Sequence, residues 1–243
     1  MKITYITGFA YSGKTTYAKY LLLKDIQYGK MSLIYPMASG IKYFFYKYFG
    51  LSKMGLLSAD NRYSSLNTQK LMNMILDYFN SLDIEIIQED LEKIKTVIEE
   101  LCYHIDNCLT NNDYNYSFRK CMQLFGTEVG RNLDNDIWIK LYWNRIKKLK
   151  NIDNIYIDDW RFPNEYLGMA DLVNADTYLD NYDKLDLEFE TIFIYCPIET
   201  RMERSGLTSE QLKDMSLHDS EKYINQLHDM CQIKIDSKEV KLC

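Results

Sequence analysis

The chain has 243 residues, with 29 Lys and Arg against 35 Asp and Glu, a formal charge of −6. That length fits one large domain or one domain carrying an insertion, and the acidic balance argues against broad, stable nucleic-acid binding while leaving room for a local basic pocket. Ten glycines and three prolines, far below the roughly 12 % of an average chain, argue against a turn-rich all-β fold or a disordered linker and favour helices.

Lys2–Thr7 alternates and is rich in β-branched residues, which predicts a strand. Gly8–Gly13 reads as a loop, Lys14 to about Leu23 as a helix, and Ser32–Tyr35 as a second strand closed by Pro36. Gly40–Phe49 is aromatic and helical, with Gly50 as its stop. From Leu66 to Leu109 apolar residues recur every three or four positions, among them Leu71, Ile75, Tyr78, Leu91, Ile98 and Ile105, which predicts unbroken helix with a core-facing stripe. Asn111–Asn115 is a polar break, followed by helices over Phe118–Val129 and Asp136–Leu149.

The short apolar runs Asn154–Asp158 and Thr191–Tyr195 read as strands buried on both faces of a parallel sheet, with Ile233–Ile235 as a fifth strand. Strands separated by helices make the chain α/β. The helical stretch between the second and third core strands is too long for a simple crossover and predicts an inserted subdomain over residues 51–150.

Cys102, Cys108, Cys121, Cys196, Cys231 and Cys243 form no CxxC pair, and the three histidines do not cluster with them. They read as reduced thiols without a metal. No run approaches the ~18 apolar residues of a membrane span, and Lys2–Thr7 leads into a functional loop rather than a signal peptide. A reducing, cytoplasmic location is expected. The 21 tyrosines, with abundant Asn, Lys and Ile, hint at the AT-rich coding DNA of a low-GC microbe or a virus.

Gly8-Phe-Ala-Tyr-Ser-Gly-Lys-Thr15 fits G-x-x-x-x-G-K-[ST] at every position, between a predicted strand and a predicted helix. The glycines let successive N–H groups curl round one anion, and the helix N-terminus adds partial positive charge. Gly8, Ser12, Gly13, Lys14, Thr15 and Thr16 are therefore the expected nucleotide-triphosphate site, with Lys14 on the β- and γ-phosphates and the Thr15 hydroxyl on Mg²⁺. The loop alone does not name the acceptor. A guanine-reading Asn-Lys-x-Asp is absent from the sequence, which removes the switch GTPases.

Two further constellations stand out. Asp158, Asp159 and Arg161 follow the third core strand, at the strand ends where ligands of open parallel sheets sit. A carboxylate there can organise Mg²⁺ and an arginine can clamp a phosphate, although a solvated strand end would look the same. Arg119 and Gln123 are four apart on one helix face, and Gly126, Thr127, Glu128, Arg131 and Trp138 follow.

In combination these segments resemble the deoxynucleoside monophosphate kinases of tailed phages and related viruses. The resemblance rests on Gly8–Thr15, Ala38–Lys42 with Gly50, Arg119-x-x-x-Gln123-x-x-Gly126-Thr-Glu-x-x-Arg131 through Trp138, Asp159-x-Arg161-x-x-x-Glu165, and His218-Asp-Ser-Glu221. It implies a three-layer P-loop NTPase fold with a five-stranded parallel sheet, a helical NMP-binding insert and a lid over 197–222. It further implies transfer of the ATP γ-phosphate to a dNMP with Mg²⁺, giving dNDP for DNA synthesis, and a homodimer. By the same resemblance Lys42, Arg119, Gln123, Thr127, Glu128, Arg131, Trp138 and Arg161 bind the substrate. Lys14, Arg131, Asp159 and Arg161 serve the reaction, Asp159 joins Thr15 at the metal or assists at the sugar, and Arg201 and Arg204 sit in a mobile lid that meets the transferring phosphoryl group.

Residues 51–115 and Asp171–Glu190 carry no clear family pattern, and no Asn-Asp-Gly turn follows Ile235. Base preference and donor-base contacts stay open. The alternatives are another small-molecule P-loop kinase, such as one acting on dephospho-coenzyme A or a nucleoside, and a non-catalytic P-loop binding protein.

Overall fold

The computed structural model describes residues 1–52, 54–56, 66–110, 114–179, 187–216 and 222–239. Part of the expected polar break (111–113), the His218–Glu221 segment with the end of the expected lid, and Cys243 lie outside the described residues. The chain divides into two compact units, Met1–Met37 with Lys147–Cys243, and Ala38–Ile146.

The first unit is built on a five-stranded, all-parallel sheet. Strand β1 (Lys2–Thr7) leads through helix α1 (Lys14–Gln27) to β2 (Ser32–Ile34). After the second unit, whose elements are α2 to α7 and a hairpin β3–β4 given below, come β5 (Asn154–Ile157), α8 (Pro163–Leu179), β6 (Glu188–Tyr195), α9 (Ile198–Ser205), α10 (Ser209–Ser216), α11 (Ile224–Met230) and β7 (Ile233–Asp236). The spatial order is β2-β5-β1-β6-β7. β1 is the central strand, aligned Lys2↔Asn154 with β5 and Lys2↔Glu188 with β6. Ile3–Thr7 and all of β5 are buried, as strands covered on both faces should be. This strand order, with a phosphate loop after the central strand, is a P-loop kinase fold.

At the amino ends of the strands a polar knot ties α1 to the sheet. Asp25, 8 % exposed, accepts hydrogen bonds from Ser32 Oγ at 2.6 Å, Asn154 Nδ2 at 2.6 Å and the Tyr156 hydroxyl at 2.5 Å. Burial alone would push its carboxyl upward; the bonds from Ser32, Tyr156 and Asn154, with Lys30 nearby, hold it below the ordinary value.

The second unit contains α2 (Ser39–Phe49), β3 (Leu51–Ser52) paired with β4 (Gly55–Leu56), α3 (Thr68–Asn80), α4 (Gln88–Lys93), α5 (Lys95–Leu109), α6 (Tyr114–Gln123), a π-helical stretch (Leu124–Arg131) and α7 (Ile137–Ile146). It opens at Ala38 and closes at Ile146, against the 51–150 expected of the insert. Its core is aromatic: Phe44 stacks on Phe125 at 4.1 Å between ring centroids, and Phe79 and Trp138 pack against the same ring. Asn67 caps α3 by accepting the Lys70 N–H at 2.9 Å, and Gly50 ends α2 in the left-handed region at φ 65°.

The expected unbroken helix over 66–109 is three helices. Asp83 adopts φ 60°, a conformation Asp tolerates, and the chain turns between Asn80 and Gln88. Ile84 and Ile86 of the turn are buried in the same core, 7 % and 8 % exposed. The apolar rhythm thus runs on through a break that it does not reveal. The expected helix over Phe118–Val129 also differs: it begins at Tyr114 and widens at Leu124.

Candidate active site

The phosphate loop follows the central strand. Gly8 has φ 142°, and a Cβ there would lie 2.5 Å from the Ile194 carbonyl oxygen and 2.9 Å from Ser12 Oγ, so a side chain cannot fit. Gly13, at φ 98°, starts α1. These two positions let the backbone curl at the helix N-terminus. Ser12 is fully buried, and its hydroxyl has no hydrogen-bond partner among the described residues.

Lys14 is 8 % exposed and donates from Nζ to Gly8 O at 2.7 Å and Phe9 O at 2.8 Å. Burial drives its ammonium well below the ordinary lysine range; Arg161 and Arg201 push the same way, and Asp158 and Asp159 oppose them. Thr15 Oγ1 donates to Asp158 Oδ2 at 2.6 Å. The loop therefore offers an anion a ring of constrained backbone, an orphaned hydroxyl and a strained cation. These features fit a triphosphate, and the Thr15–Asp158 oxygen pair fits a hydrated Mg²⁺. Among the described residues there is no cluster of three His, Cys, Asp or Glu side chains able to hold a metal by themselves, so an ion here would need ligands from water or phosphate. Thr16 continues the first turn of α1 beside them.

Beyond β5 the neighbouring carboxylates have different surroundings. Asp158 is bonded to Thr15, whereas Asp159, expected at the metal, accepts the Met37 N–H at 2.6 Å through Oδ1. Arg161 follows, and Glu165 explains its placement. Glu165, 4 % exposed, accepts the backbone N–H groups of Arg161 at 2.9 Å and Phe162 at 3.2 Å. With Pro163 opening α8, Glu165 stands at the third helical position and reaches back, as the acidic member of a capping box does. The Glu of the Asp-x-Arg-x-x-x-Glu pattern is thus a staple on the backbone that carries Arg161. Trp160, fully buried, accepts the Thr7 hydroxyl at its carbonyl and donates its indole N–H to Phe162 O.

Arg201 and Arg204 lie against the phosphate loop itself. Arg201 Nε donates to Ala10 O at 2.9 Å, and its guanidinium sits 4.8 Å over the Phe9 ring. Arg204 Nη1 donates to Ser12 O at 3.1 Å and Tyr11 O at 3.4 Å.

In the helical unit, the expected acceptor residues fall into two groups. Arg119 is exposed, and Gln123, Thr127, Glu128 and Arg131 are partly so. Arg119, Gln123, Thr127 and Arg131 are each four apart. In an α-helix four residues overshoot a turn by about 40°. The i→i+5 bonding over Leu124–Arg131 widens the turn and offsets that drift, so the four follow one stripe. Arg131 also donates to Asn135 O at 3.2 Å. Lys42, on α2, is exposed. Trp138 stands apart from this group: it is 2 % exposed, and its indole N–H donates to Gly126 O at 2.6 Å. A Cβ at Gly130 would lie 2.5 Å from the Trp138 ring, and one at Gly126 2.8 Å from Ile41. Trp138 supports the stripe from within.

Sequence reasoning missed α8 and the structural use of Glu165, although Pro163 followed by Glu165 is a helix-start signal. It also missed the π-helical widening and the hairpin β3–β4, for which the pattern holds no cue. Among the described residues no helix is long and apolar enough to cross a membrane. A family model described as deoxynucleotide monophosphate kinase matches residues 2–177. No curated protein matches the chain.

Proposed function

The chain belongs to the deoxynucleotide monophosphate kinase family, and we propose that it takes the γ-phosphate of ATP at Gly8–Thr15 and passes it to a deoxynucleoside monophosphate with Mg²⁺. The family makes it a phosphotransferase acting on small molecules; the donor, the metal and the residue roles are the proposal. The observation that carries it is the phosphate loop after the central strand, with buried Lys14 inside it and Asp158 bonded to Thr15.

Bound phosphate would give Lys14 a stronger partner than the Gly8 and Phe9 carbonyls it now uses, and the Ser12 hydroxyl a first one. Thr15 and Asp158 are the proposed Mg²⁺ residues, the latter through water, and Asp159 fixes the chain at Met37. Mg²⁺ supplies charge neutralisation between the phosphates. Arg161, set by Glu165, serves the transferring phosphoryl group, because a planar guanidinium can give two parallel bonds to phosphate. The helical unit supplies the acceptor residues Lys42, Arg119, Gln123, Thr127, Glu128 and Arg131. Gln123 is suited to a base edge, having both a donor and an acceptor.

Coupled ADP-release kinetics across the four dNMPs and the matching NMPs test this reading. The native chain turns over at least one dNMP. Lys14→Ala, with an unchanged circular dichroism spectrum, loses about 10²- to 10³-fold in kcat, the range for removing one preorganised charge or donor at developing charge. Near-native kcat in Lys14→Ala would remove this loop from the reaction. Absence of turnover with ATP still bound would favour a non-catalytic role.

A further inference from the structure

We propose that Arg201 and Arg204 are positioning residues that clamp the phosphate loop in a strained, anion-ready form, acting through its carbonyls rather than reaching for the phosphoryl group. The inference rests on the donor-site reading above and adds a cause for the loop's shape.

Tyr11 is the starting observation. It lies in the loop with φ 62°, the left-handed region that bulky residues avoid. The residue is 42 % exposed, so burial is not what holds it there. Such strain persists only where the surroundings over-determine it, and it clusters at functional sites.

The surroundings here are two guanidinium groups. Arg201 takes the carbonyl before Tyr11, at Ala10, and Arg204 takes those of Tyr11 and Ser12. Three successive carbonyls are therefore held from one side, by residues three apart on one face of α9. Arg201 is itself immobilised: it is 7 % exposed and lies over Phe9. Arg204 Nη1 also reaches Cys196 Sγ at 3.5 Å, and it would be 3.3 Å from a Cβ at Gly13, so it lies along the loop's backbone. Helix α9 begins three residues after β6 ends, and Ile194 of β6 is the wall against Gly8. Sheet, loop and helix thus brace one another.

The chemistry of the clamp follows. A carbonyl oxygen turned toward a triphosphate would repel it. Tying three of them to cations draws off that negative end and leaves the loop's N–H groups for the anion, apart from that of Ser12, which donates to Phe9 O at 3.2 Å. The same positive charge adds to the field at the loop, where Arg201 already depresses the Lys14 ammonium.

The test is a double-mutant cycle read by calorimetric binding of ATP with Mg²⁺, alongside steady-state kinetics. Arg204→Gln should weaken ATP binding about tenfold, the loss expected if the left-handed conformation of Tyr11 must be restored by the ligand. The loss should fall on Kd and KM for ATP more than on kcat, with no comparable change in KM for the monophosphate. In a Tyr11→Gly background the same substitution should cost less than about threefold, because Gly takes φ > 0 freely. Arg204 is exposed, so this cycle stands even if Arg201→Gln does not fold; where it folds, Arg201→Gln should show the same coupling.

An equal loss in both backgrounds, or a loss confined to kcat with unchanged ATP Kd, would overturn the clamp. Lys14→Ala separates the two levels. Native ATP binding by the arginine variants, with binding lost in Lys14→Ala, sinks the clamp and leaves the donor site. Native ATP binding and turnover in Lys14→Ala sinks the donor site itself.

Discussion

Gly8 and Gly13 of the sheet unit and Gly40, Gly126 and Gly130 of the helical unit do opposite work. Gly8 and Gly13, in the sheet unit, have φ of 142° and 98°, and they let the backbone of the phosphate loop curl. Gly40, Gly126 and Gly130, in the helical unit, are absent from the positive-φ positions. Their missing Cβ makes room instead: one at Gly40 would lie 2.8 Å from Leu141 Cδ2, and one at Gly130 2.5 Å from the Trp138 ring. At these five positions one residue type serves a curled phosphate loop in one region and close packing in the other. A motif letter in the helical unit reports what the core needs before it reports what a substrate needs.

The largest effect that sharpens this comparison is at Trp138. Removing a buried aromatic side chain costs about 3–5 kcal/mol, and Trp138 has Phe79, Phe125 and Gly130 around it. Trp138→Ala should lower the thermal midpoint sharply. Trp138→Phe keeps most of the ring but loses the bond to Gly126 O, for about 1–3 kcal/mol. Unchanged midpoints in both would mean that Trp138 is not the internal support, and would return it to the substrate.

Next comes Asp25, a polar support in the sheet unit. Asp25→Ala leaves donors on Ser32, Asn154 and Tyr156 without their acceptor, which should cost about 2–3 kcal/mol in urea unfolding at neutral pH. Because the folded carboxyl lies below its ordinary value, its contribution is full above the unfolded pKa and is lost as pH falls through the folded one. The gap between native and variant midpoints should narrow only in that acid range. A gap independent of acid would mean that packing, not the carboxylate, is what Asp25 supplies.

The sheet unit was far more legible than the helical one, for a physical reason. A strand, a glycine-rich turn and a helix start are local, so residues 2–27 could be read without knowing their neighbours. The five strands were legible for the same reason, as short apolar runs between polar breaks. The turn after Asn80 was not, because Ile84 and Ile86 keep the apolar rhythm while leaving the helix. Nor were the separate partners of Asp158 and Asp159, Thr15 Oγ1 and the Met37 N–H, since adjacent side chains at a strand end take different directions. The bond from Arg201 to the Ala10 carbonyl is equally out of reach of the sequence, since the two residues lie 191 positions apart.

The smallest effect, and the most diagnostic, is the pH response of Lys14. Its ammonium is buried, and its folded pKa lies well below the usual value, through burial first and then through Arg161 and Arg201. The unfolded chain restores an ordinary lysine near about 10.4. Between the two pKa values the unfolded state binds more protons, so Lys14 makes the empty protein more stable as pH rises across that window. The slope is at most about 1.4 kcal/mol per pH unit. ATP works in the other direction. A triphosphate beside Lys14 favours the charged form, so binding takes up a proton and affinity falls as pH rises through the same window. Calorimetric titrations in alkaline buffers of different ionisation enthalpy should show net proton uptake on ATP binding, and Lys14→Met should abolish both the uptake and the rise in stability. The Asp25 contribution is already full at these pH values and will not interfere. Proton uptake that survives Lys14→Met would assign the titration to another group and detach Lys14 from the phosphates.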